Sequence, residues 1–405
     1  MRKSLILVWA VLFALAGCDD GNDGNDAGLA TDAGGATDSG TTPTDSGMVD
    51  EDGGATGCTV TPGAAWDAPS FETNAATALA LRMQLDTLVG DDTMRGAETG
   101  AVTVDDVTDL TGPFGAGDPS VEDVTTTYYA GITADVFEEF VELIGVGELD
   151  LVDGDGAWAP GAAGGIFGSS SRGINEGGLE VRQLADKGLF GGAALYNYAL
   201  TLTEGDLDQA TIESLGALWG TNQALDFDTR TDSADYSGDM GYHAPTVQEL
   251  VAAHAYAADD ACAAERDEAI VAFFRTWELS LFARFVYYAN AGSTGIAAAT
   301  NDDDVAGALQ ALAEGIGLGL GFRGVDSPAS GPLAGAGRVT TDAQIDAMMT
   351  SLGVDTADLG ASTTGEFVSD PTSFSDAVVE VEAEVGTAFG LDSAAVEAWR
   401  DPTAG

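Results

Sequence analysis

AAERDEAIVAFFRTWELSLFARFVYYAN, Ala263–Asn290, is the stretch whose reading decides the fold. Ile270, Phe273, Phe274, Trp277, Leu281, Phe285 and Tyr288 fall at i, i+3, i+4 and i+7 steps, the spacing that puts apolar side chains on one stripe of an α-helix. A stripe this long and aromatic belongs inside a helical core. Arg275 and Glu278 lie one turn apart and can pair on its flank.

Outward from it the same period recurs. It marks helices over Asn74–Val89, Val121–Ile144, Leu179–Leu202 and Leu207–Leu225 on one side. On the other side it marks Asp303–Phe322, Asp342–Leu352, Ser375–Phe389 and Ser393–Arg400, with Thr341 and Asp342 as caps of the second of these. Gly- and Pro-rich loops are expected at Gly145–Gly173 and Gly324–Gly337. Alternating strand patterns are scarce. The expectation is an all-α multi-helix bundle over residues 59–405, built as one domain or as two packed halves.

Gly319-Leu320-Gly321-Phe322-Arg323-Gly324 matches GxGxxG, but it ends a helix, whereas a dinucleotide fingerprint opens one. Gly315, Gly317, Gly319 and Gly321 read instead as positions where a neighbouring helix comes close. Asp20–Asp26 and Asp153-Gly154-Asp155-Gly156 lack the ligand pattern of a calcium loop. Gly168-Ser169-Ser170-Ser171-Arg172 lacks the second glycine of a nucleophile elbow. His243 and His254 are the two histidines, and no HExxH surrounds them. His254, on a predicted helix, reads as a satisfied core or surface residue. Nothing here compels an enzyme, and the cofactor is left open.

The front of the chain gives an address. Arg2 and Lys3 precede an apolar run, Leu5–Leu15, which is shorter than the roughly 20 residues that span a bilayer. It leads into Leu15-Ala16-Gly17-Cys18, read as a lipoprotein signal over residues 1–17, cleaved before Cys18, whose sulfur then carries lipid, with palmitate among its chains. The alternative is an ordinary secretory signal in which Cys18 is incidental. Acylation predicts a membrane-held protein of the cell envelope, with the leaflet left open. Residues 18–58 are Gly, Asp, Thr and Ser with almost nothing to bury, as in a disordered acidic linker.

Charge narrows the partners. Sixty-seven acidic against fourteen basic residues give a formal net charge of −53, and Lys187 is the lone lysine once the signal is gone. Such a surface repels nucleic acid and anionic lipid heads. Cys58 and Cys262 remain after Cys18, an even number that permits one disulfide in an oxidising compartment or leaves two thiols.

Glu180-Val181-Arg182-Gln183-Leu184-Ala185-Asp186-Lys187-Gly188-Leu189-Phe190-Gly191-Gly192 resembles the helix signature of an uncharacterised family of imelysin-like bacterial lipoproteins. The segments around Trp219, around Trp277-Glu278 through Asn290, and Val305–Phe322 are similar to its later blocks in the same order, so the resemblance spans about Phe71–Gly390. It implies a helical envelope protein, in several relatives linked to iron acquisition, with an insecure peptidase label. The family's GxHxxE motif suits a metal. Here Gly241-Tyr242-His243 is followed by Thr246 at the Glu position, and Pro245 opposes a helix interior. Gly220, Thr221 and Asn222 replace acidic or histidine residues of the relatives.

Glu180, Gln183, Lys187, Trp219, Trp277 and Glu278 are accordingly the candidate ligand-binding residues, on a surface between the helices that carry them. Lys187 reads either as a ligand group or, preferred, as half of a structural ion pair with a residue such as Glu278 or Glu314. Three function classes follow: a tethered binding or uptake-accessory protein, a metal-dependent hydrolase, and a structural or partner-binding envelope component.

Overall fold

The stripe at 263–290 becomes, in a computed structural model, the middle of a 36-residue helix, Ala263–Ala298, around which the other helices pack. The structure describes residues 57–89, 119–132, 151, 158, 165–168, 172–220 and 241–401. The chain divides into two units, Met1–Gly57 and Cys58–Gly405, and the described helices and strands all belong to the second. Cys18, the signal, the linker short of Gly57, both acidic glycine turns, Ser169–Ser171, Thr221 and Asn222 lie outside the described residues.

In chain order the helices are α1 (Phe71–Asn74), α2 (Ala76–Val89), α3 (Val121–Val124), α4 (Val181–Gly188), α5 (Asn197–Leu202), α6 (Gln209–Trp219), α7 (His243–Tyr256), α8 (Ala263–Ala298), α9 (Asp302–Leu320), α10 (Asp342–Ser351), α11 (Pro371–Phe389) and α12 (Ser393–Glu397). The fold is an all-α bundle. Helix α8 packs against α7, α9 and α11, so the core surrounds it, and the buried apolar side chains form one continuous cluster rather than two halves. No helix among the described residues is long and apolar enough to cross a membrane.

Two expected helices are interrupted. The helix from Val121 stops at Val124, where Thr125 turns extended, and helical backbone resumes at residues 127–132. Ser120 and Asp123 form a capping box at the first start, and the Thr126 hydroxyl accepts the Tyr129 N–H at the second. Hydroxyls that bond nearby backbone compete with a continuous helix. The helix expected over Leu179–Leu202 is three pieces, α4, a π-helical stretch Leu189–Tyr196, and α5, with non-helical backbone at Gly191 (ψ −120°).

The loop expected at Gly145–Gly173 contains strand. Gly165–Gly168 (β1) pairs antiparallel with Arg172–Asn175 (β2), Ile166 facing Ile174. Helix α11 starts four residues earlier than its apolar period indicates, because Asp370 caps it and Pro371 occupies the first turn, where no N–H is needed. Thr341 caps α10 in a capping box with Gln344, as expected.

Helix α9 lies between α4 and α8 by virtue of its glycines. A Cβ on Gly317 would sit 2.8 Å from the Gln183 carbonyl oxygen, and one on Gly321 would sit 2.7 Å from that of Gly188. Gly315 and Gly319, on another face, meet Phe285 of α8 at 3.0 and 3.2 Å. The GxGxxG match therefore serves helix packing on two sides.

The scarce arginines close helix ends. Arg82 Nη1 donates to the Leu218 carbonyl in the last turn of α6 (2.6 Å), and Arg275 Nη2 to that of Phe389 ending α11 (3.3 Å). Arg338 does the same for Phe322, just beyond α9. A cation at orphan carbonyls satisfies both the hydrogen bond and the helix dipole.

Candidate functional site

The residues singled out from sequence divide among three places. Glu180, fully buried, caps α4: Oε2 accepts the Gln183 N–H (2.8 Å) and Oε1 the Gly173 N–H (3.2 Å), which ties β2 to the helix. Gln183 and Lys187, one turn apart and both buried, lie on the α4 face that meets Gly317. Lys187 Nζ stands 3.7 Å from Asp186 Oδ2. Glu314, also buried, precedes Gly317 by three residues on α9.

Glu278 is not the partner of Lys187. Its Oε2 accepts the Val339 N–H (2.6 Å), and its Oε1 accepts the N–H and hydroxyl of Thr340 (2.8 and 2.7 Å). Nor does it pair with Arg275, whose guanidinium is at Phe389. Donors of the segment before α10 occupy the carboxylate, so neither pair expected of Glu278 forms, and it is a pin between α8 and a loop 61 and 62 residues on. Burial pushes the Glu278 carboxyl up, against those donors and the Arg338 charge. Tyr196, buried beside it, donates to the Gly337 carbonyl (2.9 Å), and burial with the Glu278 charge raises its phenol far above the usual value.

Trp219 and Trp277 are core. Both are 0% exposed, and Phe273 lies between them, its ring centroid 6.3 Å from Trp219 and 5.5 Å from Trp277. Rings of Tyr196 and Phe274 cover the rest of Trp277. The surface expected between Lys187, Trp219 and Trp277 is therefore packed interior at both tryptophans, not the wall of a cleft.

The GxHxxE-like segment opens α7. His243 is its first residue and stacks on Trp219 (5.8 Å, 27°). Pro245 falls in the first turn, where a missing N–H costs nothing, so it does not oppose the helix as its sequence position indicated. Thr246, buried, donates its hydroxyl back to the Tyr242 carbonyl (2.7 Å).

A different pair has the more open chemistry. His254 Nε2 lies 3.1 Å from Glu213 Oε1, and the other oxygen of Glu213 accepts from Asn74 Nδ2 at 2.7 Å. Glu213 comes from α6, His254 from the last turn of α7 and Asn74 from α1, so three helices meet there. The Trp66 ring packs beside the imidazole, centroids 5.0 Å apart and planes tilted by 48°. The side chain of His254 keeps 12% of its surface accessible, against 4% for Glu213.

An ionised Glu213 fixes the tautomer with the proton on Nε2 and leaves Nδ1 as an acceptor. Sequence reading set His254 aside and missed Glu213. The available signal was a glutamate beside the apolar stripe Ile212, Leu215 and Trp219, followed by the small Gly216 and Ala217.

The chain is also stapled. Cys58 and Cys262 form a disulfide, with Cα atoms 4.5 Å apart, across a sequence separation of 204. Cys262 directly precedes α8. Among the described residues no three His, Cys, Asp or Glu side chains converge into a metal-holding group. Comparison with protein families, curated proteins and solved structures finds no match to this chain.

Proposed function

We propose that the chain is a lipid-anchored protein of the cell envelope whose helical body binds a ligand or a partner outside the cytoplasm. The observation that carries the reading is the Cys58–Cys262 disulfide. Structural disulfides persist in oxidising compartments and are rare in the cytosol. Its cysteines are the two left over once Cys18 is assigned to the Leu15-Ala16-Gly17-Cys18 signal, so one cysteine takes lipid and the other two pair with each other. The formal charge of −53 argues against nucleic acid as the partner.

Binding is favoured over metal-dependent hydrolysis. The position where imelysin-like relatives carry Glu is Thr246, whose hydroxyl is turned onto its own helix. An iron-linked role, the implication of that resemblance, stays within the proposal as one class of ligand.

The test is chemical. Native protein from the membrane fraction should yield an amino-terminal peptide that begins at an acylated Cys18, and Cys18→Ala should release the protein into the soluble fraction. An uncut precursor with a bare Cys18 overturns the assignment and the compartment with it.

A further inference from the structure

Between Gly57 and Asp67 no residue is buried; the first that is, Ala68, lies just ahead of α1. This segment has no regular secondary structure. The contacts that hold it include the disulfide at Cys58, the Trp66 ring beside His254 and edge-on to Phe71, and one long hydrogen bond from Gln248 Nε2 to the Ala64 carbonyl (3.4 Å). Past Ala68, Phe71 is fully buried and Asn74 is bonded to Glu213, so α1 belongs to the body.

We infer that residues 58–67 are a disulfide-latched lid over the His254–Glu213 pair, and that reduction of Cys58–Cys262 uncovers the imidazole. Closed, the lid places Trp66 beside His254, which a buried carboxylate backs. Open, it presents His254 Nδ1 as an acceptor for a ligand that donates a hydrogen bond, while Glu213 holds Nε2. The device does not depend on acylation of Cys18.

The latch is asymmetric. Cys58 is half-buried and Cys262 fully buried, so the approachable sulfur is on the lid. A dithiol of the thiol–disulfide exchange class supplies the electrons. One of its thiolates attacks Cys58 Sγ and expels the Cys262 thiolate; its second thiol then displaces Cys58 from the mixed disulfide. Two electrons pass to the protein's disulfide, the dithiol becomes a disulfide, and its two protons end on Cys58 and Cys262.

Histidine carbethoxylation reads the lid directly. Oxidised and dithiothreitol-reduced protein are treated with diethyl pyrocarbonate, and modification is quantified separately on the peptides bearing His254 and His243. Reduction should accelerate His254 about tenfold or more, the scale of a local opening, while His243 at the far end of α7 changes less than about twofold. Trp66→Ala, with the disulfide intact, should accelerate His254 as well.

Equal His254 rates in oxidised and reduced protein that retain the same helical circular dichroism overturn the inference. Loss of helical signal on reduction overturns it too, because the bond would then be a staple of the core. An unchanged His254 rate in Trp66→Ala also defeats it, since the indole would then shield nothing.

Discussion

Glu278 and Glu213 are both buried glutamates on helices, in a chain whose acids are abundant, and they are held in opposite ways. Glu278 takes donors from two backbone N–H groups and a hydroxyl of one loop. Glu213 takes donors from two side chains, an amide and an imidazole, each of which can turn or change its protonation. Backbone donors cannot. The first carboxylate is a fixed pin, and the second is one end of an adjustable pair at the edge of the body.

Replacing the pin breaks the comparison hardest. In Glu278→Gln an amide N–H2 must face either Val339 N–H or Thr340 N–H, donor against donor in a dry site. Loss of about 3 kcal/mol or more is expected in urea unfolding. The pH dependence has a defined sign. Burial raises the folded carboxyl above its ordinary 4.5, so the folded chain holds its proton longer than the unfolded chain. Stability from this group falls as pH rises from 4.5 through the raised folded value, then levels; Glu278→Gln should lack that fall. The helix cap Asp370 works the other way. Bonds from the Ser373 hydroxyl and N–H hold its carboxyl below 3.8, so its contribution is lost as pH drops through that lowered value.

The disulfide comes next. Cys58→Ser with Cys262→Ser frees a loop spanning a sequence separation of 204 in the unfolded chain and should cost about 2–5 kcal/mol. Because that cost acts through the unfolded state, the double variant should keep its helical circular dichroism at neutral pH while its urea midpoint falls. A body that no longer folds would show that the lid segment belongs with the fixed pin.

These outcomes bear on what the sequence made legible. The helix was readable over 263–290 because its 3.6-residue stripe is uninterrupted there, and its continuation to Ala298, past the last aromatic of the stripe, was not. Thr341 was readable as a cap because capping is local, while its partner in the capping box, Gln344, came only with the structure. The break at Thr125–Thr126 and the π-helical turn at Leu189–Tyr196 were not, since apolar spacing near four fits both α and π backbones over two turns. Glu278 illustrates the deeper limit. Its neighbour in sequence, Arg275, offered a pairing one turn away, yet its donors come from Val339 and Thr340. Glu213 is separated from His254 by 41 residues and from Asn74 by 139, and only the tertiary fold brings them together.

Glycines sharpen the contrast between packed and open regions. Gly317→Ala places a Cβ 2.8 Å from the Gln183 carbonyl oxygen and 3.0 Å from Lys187 Cβ, backbone and side-chain root that cannot yield. A loss of about 1–3 kcal/mol is expected despite alanine's better helix propensity. Gly131, helical and with open space where a Cβ would lie, is the control; Gly131→Ala should gain about 0.5–1 kcal/mol. If both variants lose stability alike, close approach of α4 and α9 is not what Gly317 provides.

The smallest loss belongs to Glu213→Gln. The amide can turn its oxygen to Asn74 Nδ2 and its N–H2 toward His254 Nε2, which accepts once the imidazole proton moves to Nδ1. Both hydrogen bonds survive, and a cost of about 1 kcal/mol is expected, a third of that for the same chemical change at Glu278. The tautomer shift is the sharper readout. In the native pair 15N chemical shifts should mark Nε2 as the protonated nitrogen of neutral His254, and in Glu213→Gln they should mark Nδ1. If the tautomer stays put, Glu213 does not set the proton's place, and the distinction between a fixed carboxylate and an adjustable one fails at its adjustable end.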